Sequence, residues 1–258
     1  MEPIIELRNV IKSYGDKPVL KGIDLEIYPG QIIGYIGPNG AGKSTTVKIL
    51  CGLISDYEGS VRIKGLDPKK DILAIKSMIG YIPELADMYE VLTPHEFLEF
   101  IGQLYHMPHE LIEQRMSGIL RVFGIEENMH QRMETFSKGM RQKVLIASGI
   151  MHDPEIIILD EPLSGLDANS VIIVKEMLSG FARQGKTVFY CSHMMDIVEK
   201  VSDRIVLINE GLVIANGSFA ELQHDRGNNS LETIFSELTS SESPALKADE
   251  LMRLFEKK

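Results

Sequence analysis

Gly37-Pro38-Asn39-Gly40-Ala41-Gly42-Lys43-Ser44-Thr45 is the stretch around which the rest of the chain is arranged. The apolar run Gln31-Ile32-Ile33-Gly34-Tyr35-Ile36 precedes it and Thr46-Val47-Lys48-Ile49-Leu50-Cys51-Gly52 follows, so it reads as a strand, a glycine turn and a short helix closed by Gly52. Such a turn is a phosphate cradle. Glycines let backbone N–H groups converge on an anion with no Cβ in the way, and the helix N-terminus adds partial positive charge. At this spacing Lys43 neutralises the outer phosphates and the Ser44 hydroxyl is a ligand for Mg²⁺, which points to nucleotide binding.

A second element answers the first. Ile156-Ile157-Ile158-Leu159-Asp160-Glu161 puts two carboxylates where a buried apolar strand ends. A magnesium-phosphate site needs one carboxylate in the metal shell and another to polarise water for in-line attack; Asp160 suits the first task and Glu161 the second. From residue 137 onward strand and helix alternate: 168 to 184 helix, Lys186 to Cys191 strand, 194 to 201 helix, Arg204 to Asn209 strand. This predicts an α/β fold with a mostly parallel sheet covered on both faces.

The flanking segments are of different texture. Residues 4 to 14 and 19 to 28 are rich in Ile, Val, Leu and Tyr around the turn Gly15-Asp16-Lys17-Pro18, which predicts an N-terminal antiparallel β-layer. Glu58 to Gly65 is another short strand. Asp67-Pro68 predicts a helix start with proline at its first position, and Met78 to Glu84 a strand that ends at Pro83. Thr93-Pro94-His95-Glu96 is a capping box ahead of Phe97, Ile101 and Leu104 on one face, and residues 109 to 123 form an amphipathic helix ending at Gly124. The segment from 85 to about 152 is therefore expected as a helical subdomain inserted in the core of a 1–238 domain. Residues 210 to 222 add a hairpin and a helix, and Leu231, Ile234, Phe235 and Leu238 keep helical spacing. Beyond Ser240-Ser241-Glu242-Ser243-Pro244, a last amphipathic helix carries Ala248, Leu251, Met252 and Phe255 on a face expected to pack on its own domain.

Composition limits the possible partners. A chain of 258 residues has room for one such domain but not a second. Its formal charge of −10 disfavours nucleic acid and direct adsorption to anionic membrane surfaces. Cys51 and Cys191 lack paired spacing and read as reduced thiols in a cytoplasmic protein. No apolar run approaches the ~20 residues that span a bilayer, so any membrane span belongs to another chain. His106 and His109 are spaced like a metal pair, but Pro108 between them places them in an interhelical turn as solvated residues.

Taken in order, these elements resemble the ATP-binding subunits of ABC transporters over nearly the whole chain. Phe136-Ser137-Lys138-Gly139-Met140-Arg141-Gln142 is similar to that family's LSGGQ signature, with Ser164-Gly165-Leu166-Asp167 next and His193 after a later strand. The resemblance implies ATP and Mg²⁺ as ligands and transport-coupled ATP hydrolysis. It implies that Tyr14 stacks on adenine, that Gly37 to Thr45 hold phosphates, and that Glu84 joins Ser44 and Asp160 near the metal. It also makes His193 a switch histidine on the γ-phosphate beside Glu161 and Lys43. Ser137, Gly139 and Asp167 are expected to reach the nucleotide of a second ATPase subunit packed head to tail.

The same resemblance places the chain on the cytoplasmic face of a membrane, held there by membrane-spanning subunits. Two departures stand out: Lys138 and Met140 replace glycine and glutamine of the signature, and Glu84 replaces a glutamine. Both resemble cassettes of the ABC-2 type, often exporters, which makes export the expected direction. A soluble ABC-type ATPase acting on ribosomes or DNA is the alternative, and a P-loop kinase would leave the signature, the 164–167 loop and His193 without a role.

Overall fold

The computed structural model describes all residues except 85–87, 225–228, 240–251, 253 and 256–258. Strands β1 (Ile5–Tyr14) and β2 (Lys17–Ile27) pair antiparallel across a two-residue turn at Gly15 and Asp16. After β3 (Ile32–Ile36) and α1 (Lys43–Leu50), β4 (Glu58–Ile63) returns to β1, giving the three-stranded layer β2-β1-β4. Inward positions such as Ile5, Leu7, Leu20, Ile23 and Ile27 are fully buried, as strand alternation requires.

The chain continues through α2 (Ile72–Met78), β5 (Ile79–Ile82), α3 (Pro94–Leu104), α4 (His109–Val122) and α5 (Lys138–Ile150). It then alternates: β6 (Ile156–Asp160), α6 (Ala168–Arg183), β7 (Thr187–Cys191), α7 (Met195–Val201) and β8 (Arg204–Asn209). A closing hairpin strand β9 (Leu212–Gly217) leads to α8 (Phe219–His224) and α9 (Leu231–Thr239). The second sheet has the order β5-β6-β7-β3-β8-β9, parallel except for β9. The expected α/β fold, with its antiparallel N-terminal layer, is the one observed.

Residues within each central strand divide between two cores. Ile157 and Leu159 of β6 and Val188 and Tyr190 of β7 join the helices, including Met116 and Leu120 of α4 and Val144 of α5. Their neighbours Ile156, Ile158, Phe189 and Cys191 face the antiparallel layer together with α1. Burial of each of these larger aliphatic side chains contributes about 1.5–3 kcal/mol, so continuous apolar runs are what a sheet covered on both faces requires. Helix α5 lies hard against β5: a Cβ on Gly80 would stand 2.0 Å from the Gly149 carbonyl oxygen.

Several local readings are corrected. Asp67 and Pro68 open a turn in which the Lys69 N–H donates to Asp67 at 3.0 Å, and the helix starts later, at Ile72. The capping box at Thr93 is present with both of its bonds, yet Leu104 on the same predicted face is exposed because α3 ends there. Most of the last predicted helix, including Ala248 and Leu251, lies outside the described residues. Met252 and Phe255 are exposed rather than packed on the domain. Cys51 and Cys191 are free and buried, and burial raises both thiols far above their ordinary range. His106 and His109 are exposed.

Candidate active site

The C-terminal ends of β3, β6 and β7 open into one cleft of about 630 Å³, where ligands of open parallel sheets are bound. Gly37 to Gly40 and Gly42 to Thr45 form its floor, with Glu84, Asp160, Glu161 and His193 along one side. Ala41 is turned inward and buried instead. The floor is built for an anion. Helix α1 begins at Gly42 with no side chain capping its N-terminus, so its first N–H groups are free to face the cleft. Gly42 has φ +113°, and a Cβ there would meet Leu20 Cδ2 at 2.5 Å, so both conformation and space call for glycine. Below the loop, Thr46 Oγ1 donates to the Gly42 carbonyl at 3.1 Å and lies 3.2 Å from the Tyr35 hydroxyl, a buried polar prop.

Lys43 arches back over the loop, its Nζ donating to the Gly37 carbonyl at 2.6 Å and to that of Pro38 at 3.2 Å. This holds one positive charge at the loop mouth. Asp160 is buried at the end of β6, and its carboxyl is held above the ordinary range. Burial is the main cause, the Ser44 hydrogen bond opposes it, the negative charges of Glu161 and Glu84 add to it, and Lys43 opposes it again. Such a carboxylate, beside a hydroxyl and facing other anions, fits a hard divalent cation. No group of three or more His, Cys, Asp or Glu among the described residues is arranged to hold a metal alone. Phosphate oxygens and water would have to complete the shell.

Glu161 occupies the left-handed region at φ +50°, uncommon for a residue with a side chain, and its N–H is fixed to the Cys191 carbonyl at 2.9 Å. The turn directs its carboxylate at His193, whose Nδ1 is 2.8 Å from Oε2, while Ser192 Oγ donates to the same oxygen at 3.2 Å. His193 itself is largely exposed, on the open side of the cleft.

Other predicted residues lie elsewhere. Tyr14 is half exposed at the end of β1, with Lys12 Nζ 4.7 Å from its ring centroid; it is not among the lining residues, although its pairing partner Lys17 is. Ser137 caps α5, accepting from the Met140 N–H at 3.2 Å, and Gly139 lies within the first turn. Asp167 caps α6, accepting from Ser170 and paired with Lys143 at 3.1 Å; those hydrogen bonds and that charge hold its carboxyl well below the usual range. None of these three lines the cleft. Conversely, Lys17, Val19, Met195 and Phe235 line it without having been singled out for that role. Phe235 comes from α9 and had only a helical-spacing signal, which says which residues share a face and not what that face meets.

Residues 20–164 match the ABC transporter family. The chain is 36% identical over 219 residues to the linearmycin resistance ATP-binding protein LnrL of Bacillus subtilis, covering 85% of this chain and 70% of that protein. It is 33% identical to the ABC transporter ATP-binding protein NatA of the same organism, covering 90% and 96%. Among solved structures, an ATP-binding subunit of an ABC transporter superimposes with a TM-score of 0.86 at 29% identity, covering 91% of this chain and 99% of the other. A dimeric ATP-binding cassette in a post-hydrolysis state with ADP and Pi superimposes with a TM-score of 0.77 at 25% identity, covering 83% and 98%. On these matches, which agree with a phosphate cradle facing two carboxylates, the chain belongs to the ABC transporter family, as an ATP-binding cassette that hydrolyses ATP.

Proposed function

We propose that this cassette powers export through separate membrane-spanning subunits, with the 37 to 45, 160 to 161 and 193 segments forming its hydrolytic site. The observation that carries the site is the convergence of Lys43, Asp160, Glu161 and His193 on one cleft from three different strand ends. The Gly37 to Thr45 loop holds the phosphates, chiefly by the backbone N–H groups from Gly42 onward at the start of α1, and Lys43 leaves its carbonyl partners to meet the outer phosphate oxygens. Glu161, fixed by its backbone turn and by Ser192, accepts a hydrogen bond from the attacking water and orients it in line. His193, tied through Nδ1 to Glu161, turns its other ring nitrogen to a γ-phosphate oxygen. Ser44 and Asp160, with Glu84 nearby, would hold Mg²⁺, which when bound neutralises charge developing on the phosphates. Tyr14, paired in the sheet with the cleft-lining Lys17, would stack on the adenine.

Ser137, Gly139 and Asp167 lie away from their own chain's cleft, which suits a head-to-tail pair in which one chain's α5 N-terminus faces the other's nucleotide. An uncapped cradle on one side and a helix N-terminus on the other would enclose the phosphates in positive dipole. Export is supported by the Pro83-Glu84 and Ser137-Lys138-Gly139-Met140 sequences and by the similarity to a relative named for resistance to a compound. No described helix is long and apolar enough to cross a membrane, so another chain would supply the path. The test is to tag the chain at native level, solubilise membranes and weigh what co-purifies. An integral membrane protein in near-equal amount is expected; recovery with ribosomes, or wholly outside the membrane fraction, overturns the reading.

A further inference from the structure

The first turns of α5 grip the loop that follows Glu161. Lys138 Nζ donates to Ser164 Oγ at 2.6 Å, and the Lys138 stem lies over Gly165, where an added Cβ would meet its carbons at 3.1 Å. One turn on, the buried Gln142 side chain donates to the Pro162 carbonyl at 3.0 Å, and Lys143 pairs with Asp167 at 3.1 Å. The loop from 162 to 167 is therefore held from a single helix at both ends and in the middle. Gln142 is a buried, permanent tie; Lys138 is exposed, and its tie can be made or released without unpacking a core. Only the tie at Lys138 occurs at a signature position where the family pattern has glycine.

We propose that Lys138 is a positioning residue for hydrolysis, holding Ser164 so that the loop behind Glu161 keeps the carboxylate on its water. The inference rests on the hydrolytic role given above to Glu161. Together with Gln142 and Lys143, this side chain carries movement of α5 to the loop behind the carboxylate, and it is the one releasable link in that coupling between the helical segment and the chemistry. Lys138 does not line its own chain's cleft, so the affinity of that cleft for nucleotide should not depend on it. An alternative use of the same ammonium, direct attraction of the phosphates on a second copy, makes different predictions for Ser164.

The experiment compares Lys138→Met, Ser164→Ala, the double variant and Lys138→Arg in the full chain, measuring kcat and KM for ATP and the Kd of ATP. The proposal expects Lys138→Met to lower kcat about fivefold to twentyfold with KM and Kd within about twofold. Ser164→Ala should match it, the double variant should be no worse than either single change, and arginine should restore most of the rate. Unchanged kcat in Lys138→Met overturns the proposal. So does a raised KM with Ser164→Ala silent, which assigns the ammonium to the second copy's phosphates, and so does a double variant whose losses multiply. Glu161→Gln in the same series separates the two claims: if it turns over normally, the role of Glu161 fails while the non-additive Lys138–Ser164 loss still shows that this contact governs turnover.

Discussion

Glu161 and His152 show how two titratable side chains in one domain serve opposite ends. Glu161 stands in a strained backbone conformation with its carboxylate shared between His193 and Ser192, as expected of a group placed for chemistry. His152 is placed for packing. Its ring stacks on Tyr105 with centroids 3.7 Å apart, Nε2 donates to the Ile79 carbonyl at 3.2 Å, and Nδ1 is buried without a hydrogen-bond partner. Burial pulls its pKa down to about 4, with the Ile79 bond and Asp153 opposing and Lys186 and Arg115 assisting. A histidine whose folded pKa lies below its unfolded value takes up protons preferentially when unfolded. Stability from the neutral ring is therefore full above about pH 6.5 and is lost as pH falls towards 4. After allowance for partial exposure, the loss between pH 7 and pH 5 is on the order of 1 kcal/mol. His152→Phe, followed by urea unfolding at both pH values, should lose that much less than the parent chain; equal losses would mean that the ring does not carry the effect.

At the scale of elements, what could be read in advance was what repeats locally. The cradle, the apolar strand before Asp160, the Thr93 capping box and the strand–helix alternation after 137 each have a spacing that backbone geometry enforces, and each is where it was expected. Asp67-Pro68 had the composition of a helix start, but the bond from the Asp67 N–H to the Asp71 side chain closes a turn there instead. Leu104 kept the helical period past the point where the buried groove ends. The glycines of the cradle carry their own prediction. Gly42→Ala forces a side chain into positive φ and within 2.5 Å of Leu20, which should cost about 1–3 kcal/mol and weaken ATP binding at least tenfold. Isothermal titration with ATP, beside a thermal melt, checks both; wild-type affinity in a fully folded variant would contradict the reading of that turn.

Across the whole molecule, the cleft is assembled from segments more than a hundred residues apart. Asp160 and Glu161 reach Gly37 to Ser44 only because β6 and β3 flank β7 in the sheet, a neighbour relation that no local pattern encodes. The motif types were legible because phosphate chemistry demands particular atoms. Lys17, Val19, Met195 and Phe235 were not, because a lining residue needs only to be nearby. The Lys138 tie to Ser164 likewise depends on α5 crossing beside the loop after β6. That Ser137 and Gly139 stay outside their own chain's cleft is also a whole-molecule property, and only the head-to-tail pairing proposed above would give them a nucleotide to meet.

The most direct test is to replace Glu161 by glutamine in the full chain and to measure ATP turnover and sedimentation together, with Mg²⁺ and saturating ATP. The account predicts ATP binding within about threefold of the parent, turnover reduced by about two orders of magnitude, and a shift from monomer to a lasting dimer that ADP does not produce. Near-parental turnover, or a chain that stays monomeric with ATP bound, would contradict it.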